Sequence, residues 1–512
     1  MHPSVHAAAT PDKPALIVAE TGETVSFAEL DRRSNRAAQL FRAAGLAVGD
    51  TIALFLENVP EFYDIAWGAQ RSGVFYVCIS TKLTAPEVDY IVRDSGASLL
   101  VASAGLAAAI GRLAPDLAVA GYTVGGAVPG WSSWEDAVAA MPDTPIADQR
   151  AGVDMLYSSG TTGRPKGVRV ALPEDPDIAG ANVLAMLARG LYGLGPDSIY
   201  LSPAPLYHAA PLRWSMTVQR LGGTVVMMQH FAPEAALAAI ERYGVTASQW
   251  VPTHFVRMLK LDEAARARHD LSTLKVAIHA AAPCPVPVKE AMIGWWGPVL
   301  YEYYAGSEGN GLTTIDSAQW LSHRGSVGKA AYGTLHICNE AGEELGPDEE
   351  GLVYFAGGGQ FEYHNDPART AEARNANGWT TLGDIGRIDA EGYLYLTDRK
   401  SFMIISGGVN IYPQEIENRL ITHPRVADVA VIGAPCPEMG ERVVAVVQPV
   451  DMAEAGEDLA AELTAWCRAE LSGVKTPRQI DFAAELPRHA TGKLYKRLLR
   501  DRYWGVEGGR IV

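Results

Sequence analysis

The chain has 512 residues, 48% of them hydrophobic and 20% charged, so it is long enough for at least two packed units and too apolar to be mainly disordered. Its formal charge of −16 argues against nonspecific affinity for nucleic-acid phosphates or anionic lipid and leaves small molecules as the expected partners. Five scattered cysteines, Cys78, Cys284, Cys338, Cys436 and Cys467, offer neither a disulfide framework nor a close metal-ligand cluster.

In chain order, the start Met1-His2-Pro3-Ser4-Val5-His6 lacks the basic and apolar regions of a secretory signal, so the cytoplasm is the expected location. Thr24-Val25-Ser26 reads as a short strand turning into a helix, with Ser26 placed to cap the amphipathic run 31–43. The apolar run 51–56 reads as a strand. The long small-residue region 105–131, interrupted by Arg112, Asp116 and Pro129, reads as a buried helix and loop rather than a membrane span.

The runs 225–228 and 274–278 have the character of buried strands, and 287–296 that of a helix begun by proline. This alternation predicts a layered α/β body. After 394–396, the polar stretch Thr397-Asp398-Arg399-Lys400-Ser401 breaks the pattern before a further apolar strand, 402–405. We read that break as a joint between a large amino-terminal body, 1–398, and a smaller domain, 399–512. In the smaller domain, apolar runs at 426–433 and 442–450 precede a helix over 458–471, on which Leu459, Leu463, Trp466, Cys467 and Leu471 share a core face.

The chemistry is concentrated in Tyr157-Ser158-Ser159-Gly160-Thr161-Thr162-Gly163-Arg164-Pro165-Lys166-Gly167. Its glycines allow tight turns, and its hydroxyls and cations can face a polyphosphate. It is not the ordinary P-loop, because Gly167 stands where that pattern has Ser or Thr after the lysine. By composition alone a solvent loop remains an alternative.

Further motifs follow in order: Tyr304-Ala305-Gly306-Ser307-Glu308, Gly383-Asp384, Asp398-Arg399 and Pro487-Arg488-His489-Ala490-Thr491-Gly492-Lys493. Together with the first loop, the set resembles the adenylate-forming superfamily of acyl-CoA synthetases, luciferases and peptide-synthetase adenylation domains, and specifically its acyl-CoA synthetase branch. The resemblance implies a large multi-subdomain α/β adenylating body and a smaller mobile α+β domain. It also implies a reaction in which a carboxylate attacks the α-phosphate of magnesium ATP, forming an acyl-adenylate that a thiol then cleaves.

The same resemblance assigns roles. Ser158, Ser159, Thr161, Thr162 and Lys166 would handle the ATP phosphates, with Gly160 and Gly163 permitting loop closure. Glu308 would hold Mg2+, with Ser307 in the position often taken by threonine; a carboxylate is a suitable hard ligand. Tyr304 would pack against adenine, although Ala305 replaces the usual glycine beside it. Asp384 would accept from the ribose hydroxyls, and Arg399 would add a ribose or phosphate contact. Lys493 would be the cation that stabilises adenylation. Ser401 stands near the hinge, where an acidic residue or lysine is common, and Gly407 and Gly408 belong to the segment beside the pantetheine path.

For the acid, 205–210 resembles the segment lining the acyl pocket, with His208 at its gate. The aspartate by which α-amino acid-selecting domains bind the ammonium is missing from 203–213. Trp214, Trp250, Thr253, His279, Ala280 and Ala281 fall in the regions that shape that pocket. Their mix of aromatic and small side chains suits a hydrophobic alicyclic, aromatic or medium-to-long acid. The expected cosubstrates are therefore ATP and CoA, with no nucleic acid partner and a homodimer left open. CoA is preferred as acceptor because the chain ends soon after Lys493 with no carrier segment. An acyl-adenylating ligase that charges a separate carrier protein, and a degenerate nucleotide-binding module without activity, are the alternatives.

Overall fold

The computed structural model describes all residues except 1, 115, 159–164, 181, 488–493, 495 and 506–512. It is mixed α/β. By contact density the chain separates into two compact units, one of residues 1–250, 261–278 and 360–371, the other of 251–260, 279–359 and 372–512.

In the first unit, Phe75–Cys78, Thr51–Phe55, Ala97–Ser103 and Asp154–Ser158 form parallel ladders. Phe75–Cys78 and Thr51–Phe55 are buried at every residue, as expected of strands covered on both faces. At one side of this sheet Lys166–Arg169 runs antiparallel to Asp154–Ser158, and Glu362–Tyr363 pairs outside it. The helix that the sequence places after Ser26 spans Phe27–Ala43, and the Ser26 side chain accepts from Glu29 N at 3.2 Å. A second group of parallel strands includes Thr224–Met227, Ile199–Ser202 and Pro14–Val18.

The stretch 105–131 differs from its sequence reading. Among its described residues only Ala107–Ile110 is α-helical, and Ala120–Val124 is a strand paired in parallel with Ala97–Ser103. Tyr122, Thr123 and Val124 favour a strand by themselves, and the neighbouring strand supplies their backbone partners.

In the second unit, Leu300–Ala305, Leu312–Asp316, Ser326–Tyr332, Leu394–Arg399, Thr380–Ile388, Gly351–Ala356 and Thr334–Cys338 form consecutive antiparallel neighbours. A separate sheet is built on Gly440–Pro449, which pairs with Val426–Cys436, Ile404–Ser406 and Gln479–Phe482. Alternation along its two long strands fills two cores. Val429, Val431, Val443, Ala445 and Val447 pack with Ile416, Leu420, Leu459, Leu463 and Cys467. Ala430, Ile432, Val444 and Val446 pack with Leu486 and Leu499. The 402–405 run resolves into a 3-10 turn, Lys400–Phe402, and the strand Ile404–Ser406. The 458–471 helix spans Glu457–Arg468; Trp466 is half-buried and donates from its indole to Arg419 O at 3.1 Å, and Leu471 packs on the core from beyond the helix end.

Candidate functional site

The strand Leu300–Ala305 carries Tyr304 to a corner of the second unit, and the loop after it presents Ser307 and Glu308. Across the corner, Asp384 and Arg399 are directly opposed partners on the antiparallel strands Thr380–Ile388 and Leu394–Arg399. That register sets their side chains within reach of each other. Arg399 Nε lies 2.8 Å from Asp384 Oδ1, and the Tyr304 hydroxyl donates to Asp384 Oδ2 at 2.7 Å. Asp384 is only 5% exposed.

The charges reinforce this arrangement. Asp384 raises the pKa of Arg399 still further, chiefly by Coulomb attraction, and Glu308 adds to the effect. Burial, with Asp384 beside it, pushes the Tyr304 phenol well above its ordinary value, so it stays a neutral donor. Residues from three separate stretches of sequence thus meet as one anchored carboxylate, a cation, a phenol and a second acid. A carboxylate oxygen has more than one acceptor direction, so Asp384 retains capacity for a ligand hydroxyl.

The expected phosphate loop lies in sequence between two antiparallel strands of the first unit, Asp154–Ser158 and Lys166–Arg169, whose last register pair is Ser158 with Lys166. Ser159, Gly160, Thr161, Thr162 and Gly163 lie outside the described residues. The stem is braced from beneath. The Tyr157 hydroxyl donates to Asp94 Oδ2 at 2.6 Å, Asn365 Nδ2 donates to Asp94 O at 3.1 Å, and His364 N donates to Gly167 O at 2.8 Å. Lys166 Nζ sits 5.1 Å from the Tyr363 ring centre, within cation–π range. Sequence reasoning missed Asp94, His364 and Asn365. Each is local to another element and becomes part of the stem only through strand pairing, so no nearby spacing announces it.

Lys493 also lies outside the described residues. Its neighbour Leu494 packs against the Leu486–Leu499 core, and Lys496 begins the helix Lys496–Trp504.

The acyl-pocket candidates divide between the units. In the first, His208 precedes the helix Ala209–Arg220 with its ring 4.5 Å from that of Tyr207. Trp214 is edge-on to Tyr192, and the fully buried Trp250 donates from its indole to Ser248 Oγ at 2.6 Å. In the second, Thr253 lies on the helix Pro252–Leu259, while His279 and Ala280 are buried. The His279 ring is edge-on to Phe255, and among the described residues neither ring nitrogen has a hydrogen-bond partner. Burial holds its pKa well below the ordinary value, so the imidazole is neutral. Ala281 has φ +77°, a left-handed conformation rare for alanine.

Gly407 and Gly408 join Ile404–Ser406 to Val409–Ile411 as a two-residue hairpin turn, with φ +57° and +78°. Two consecutive positive φ angles are what such a turn demands, which explains the glycine pair.

The family model for AMP-binding enzymes matches residues 4–363, and that for the AMP-binding enzyme C-terminal domain matches 415–493, a large amino-terminal body followed by a smaller domain. The chain is 33% identical to a feruloyl-CoA synthase of Amycolatopsis sp over 496 residues, 96% of each chain. It is 32% identical to ScoC, a fatty acid–[acyl-carrier-protein] ligase of Streptomyces coeruleorubidus, over 99% of this chain and 97% of that one. The crystal structure of ATP-bound MatB from Rhodopseudomonas palustris superposes with a TM-score of 0.82 at 27% identity, covering 99% of this chain and 100% of that one. The chain therefore belongs to the AMP-binding enzymes of the adenylate-forming superfamily, as an AMP-forming acid–CoA ligase.

Proposed function

We propose that this ligase activates a hydrophobic alicyclic, aromatic or medium-to-long carboxylic acid in two steps. A carboxylate oxygen attacks the α-phosphorus of ATP and the bond to pyrophosphate breaks. The thiol sulfur of CoA then attacks the acyl carbon of the adenylate, the thiol proton is lost to solvent, and AMP leaves with the bonding electrons. The observation that carries this reading is the Asp384 carboxylate held at 2.7 and 2.8 Å by Tyr304 and Arg399, the arrangement suited to accept two ribose hydroxyls while Tyr304 faces the base.

In this reading Ser158, Ser159, Thr161, Thr162 and Lys166 contact the phosphates, Gly160 and Gly163 allow the loop to close, and Lys493 balances the charge that grows on the α-phosphate as the carboxylate attacks. The residues fit Mg2+, since Glu308 and Ser307 supply hard oxygens and a nucleotide magnesium needs few protein ligands. When bound, the ion would neutralise phosphate charge. Residues 399–512 act as a mobile domain hinged near Ser401, with Gly407 and Gly408 beside the thiol path. His208, Trp214, Trp250, Thr253, His279, Ala280 and Ala281 shape the acyl pocket, and the reaction takes place in the cytoplasm.

The test is a carboxylic-acid panel assayed for pyrophosphate release, then for acyl-thioester mass with CoA. Saturable turnover with a hydrophobic acid and CoA is expected; turnover with α-amino acids alone overturns the pocket assignment. A second acceptor, a carrier protein, is favoured by the 32% identity to ScoC. Adding CoA or a phosphopantetheinylated carrier to the same adenylated enzyme separates the two.

A further inference from the structure

Immediately after Lys493 the chain is fixed to its own sheet by a buried ion pair. Lys496 Nζ lies 2.9 Å from Glu417 Oε1, with both side chains less than one-tenth exposed. The ammonium also sits 5.1 Å from the centre of the Phe402 ring. Glu417 belongs to the helix Pro413–Ile421, and its Oε1 accepts from Val431 N on the strand Val426–Cys436 at 2.6 Å. At the head of that helix, Gln414 N donates to Asp398 Oδ2 at 3.0 Å. Asp398 is the residue before Arg399, so the helix meets the strand of the nucleotide corner at its head and Lys496 through Glu417.

Burying such a pair is a poor way to gain stability. The desolvation of two ions offsets most of their attraction, and an apolar pair of equal volume often does as well. What a directional pair does supply is a single geometry. Lys496 is three positions along the chain from Lys493, a span of about 10 Å at full extension, so the pair limits where the lysine can be delivered.

We propose that Lys496 and Glu417 are positioning residues for the adenylation step: their pair fixes the reach of Lys493 and ties it, through Asp398, to the strand that carries Arg399. This rests on the reading of Lys493 as the adenylation cation. The pair holds the segment on its own domain and touches neither ATP nor acid. Its loss therefore weakens adenylation while leaving thiol transfer, which does not use Lys493, in place.

The experiment compares full-length wild type with Lys496→Met, the charge-free pair Lys496→Met/Glu417→Gln, and Lys496→Arg. Each is measured for acid-dependent ATP–pyrophosphate exchange, for thioester formation from preformed acyl-adenylate and CoA, and for Tm. The double variant is expected to stay folded, because no lone charge remains buried. Its exchange kcat should fall about 10- to 100-fold, the scale of a misplacement near 1 Å, with KM for ATP and the thioester step within about threefold on the same scale. Lys496→Arg should recover most of the exchange. Wild-type exchange in the double variant, or equal loss in both half-reactions, reduces the pair to a structural role and overturns the proposal. If the double variant does not fold, exchange by Lys496→Arg no better than by Lys496→Met overturns it as well. Wild-type enzyme that shows no exchange with any acid would instead overturn the adenylation reading itself.

Discussion

Two buried acids, Asp64 in the first unit and Glu302 in the second, meet the same demand in different ways. Both are 4% exposed. Asp64 faces Arg33 at 3.7 Å, beyond hydrogen-bond range, and among the described residues its Oδ1 has no partner. Burial pushes its carboxyl up to about 8, with Arg33 opposing, so the acid is largely protonated at neutral pH. Glu302 has the Lys289 ammonium at 2.5 Å, itself 4.8 Å from the Trp320 ring centre. Burial raises that carboxyl too, but Lys289 works against the rise. Partner distance decides whether a buried acid keeps its charge by pairing or discharges it by taking a proton. The pairing occurs where geometry serves the site: Glu302 stands two residues before Tyr304, on the same face of its strand.

The largest test of this contrast removes the partner. Lys289→Met makes Glu302 resemble Asp64, an acid buried without its cation, and should lower stability by about 3–5 kcal/mol. The charge-free pair Lys289→Met/Glu302→Gln should recover most of the loss. Denaturant unfolding measures both, and a single variant within about 1 kcal/mol of wild type would erase the distinction drawn between paired and unpaired acids.

A smaller effect is expected at the nucleotide corner, where the paired acid is also a proposed ligand contact. Asp384→Asn keeps the shape but removes the charge that Arg399 and Tyr304 hold. The cost should be about 1.5–3 kcal/mol, the worth of hydrogen bonds to a charged group. It would appear as a roughly 10- to 100-fold drop in kcat/KM for ATP, with KM for the acid little changed. Equal rises in both KM values would mean the corner supports the fold rather than the nucleotide.

The corner was legible in the sequence because the family resemblance assigned Tyr304, Asp384 and Arg399 to one nucleotide site, and strand pairing opposes the last two; the antiparallel strands that carry them were not. The short apolar runs near 51–56 and 225–228 were legible because burial on both faces leaves uninterrupted β-branched and aliphatic residues. What stayed hidden was long-range. Asp94 beneath Tyr157 and Glu417 beside Lys496 are polar residues on ordinary amphipathic helices, and each looks solvated until the chain folds back on it. The strand Ala120–Val124 was missed for a different reason: the small-residue region around it was read as one piece, although Tyr122, Thr123 and Val124 within it favour a strand.

Asp64 offers a pH test. Its folded pKa of about 8 lies above the ordinary 3.8, so the native state keeps a proton that the unfolded chain has released across that window. Stability from this group is full below the ordinary value and is lost as pH rises through about 8. Asp64→Asn removes the dependence. From pH 5 up to the folded pKa of about 8 the loss is about 1.4 kcal/mol per pH unit, about 4 kcal/mol in all, so between pH 5 and 9 the Tm of wild type should fall relative to the variant by several degrees. Parallel Tm curves would show that Asp64 is charged and paired after all, like Glu302.

The smallest expected effect asks whether the backbone near His279 is held as firmly as the acids are. Ala281, at φ +77°, carries a left-handed cost of about 1–2 kcal/mol that glycine escapes. Glycine also raises the entropy of the unfolded chain, which returns about 0.4–1 kcal/mol. Ala281→Gly should therefore stabilise the protein by about 0.5–1 kcal/mol. A gain in Tm with unchanged acid KM would make the strain incidental to the pocket. A gain in Tm with a weaker acid KM would make the alanine methyl part of the wall, the strain being tolerated because the side chain is needed where it stands.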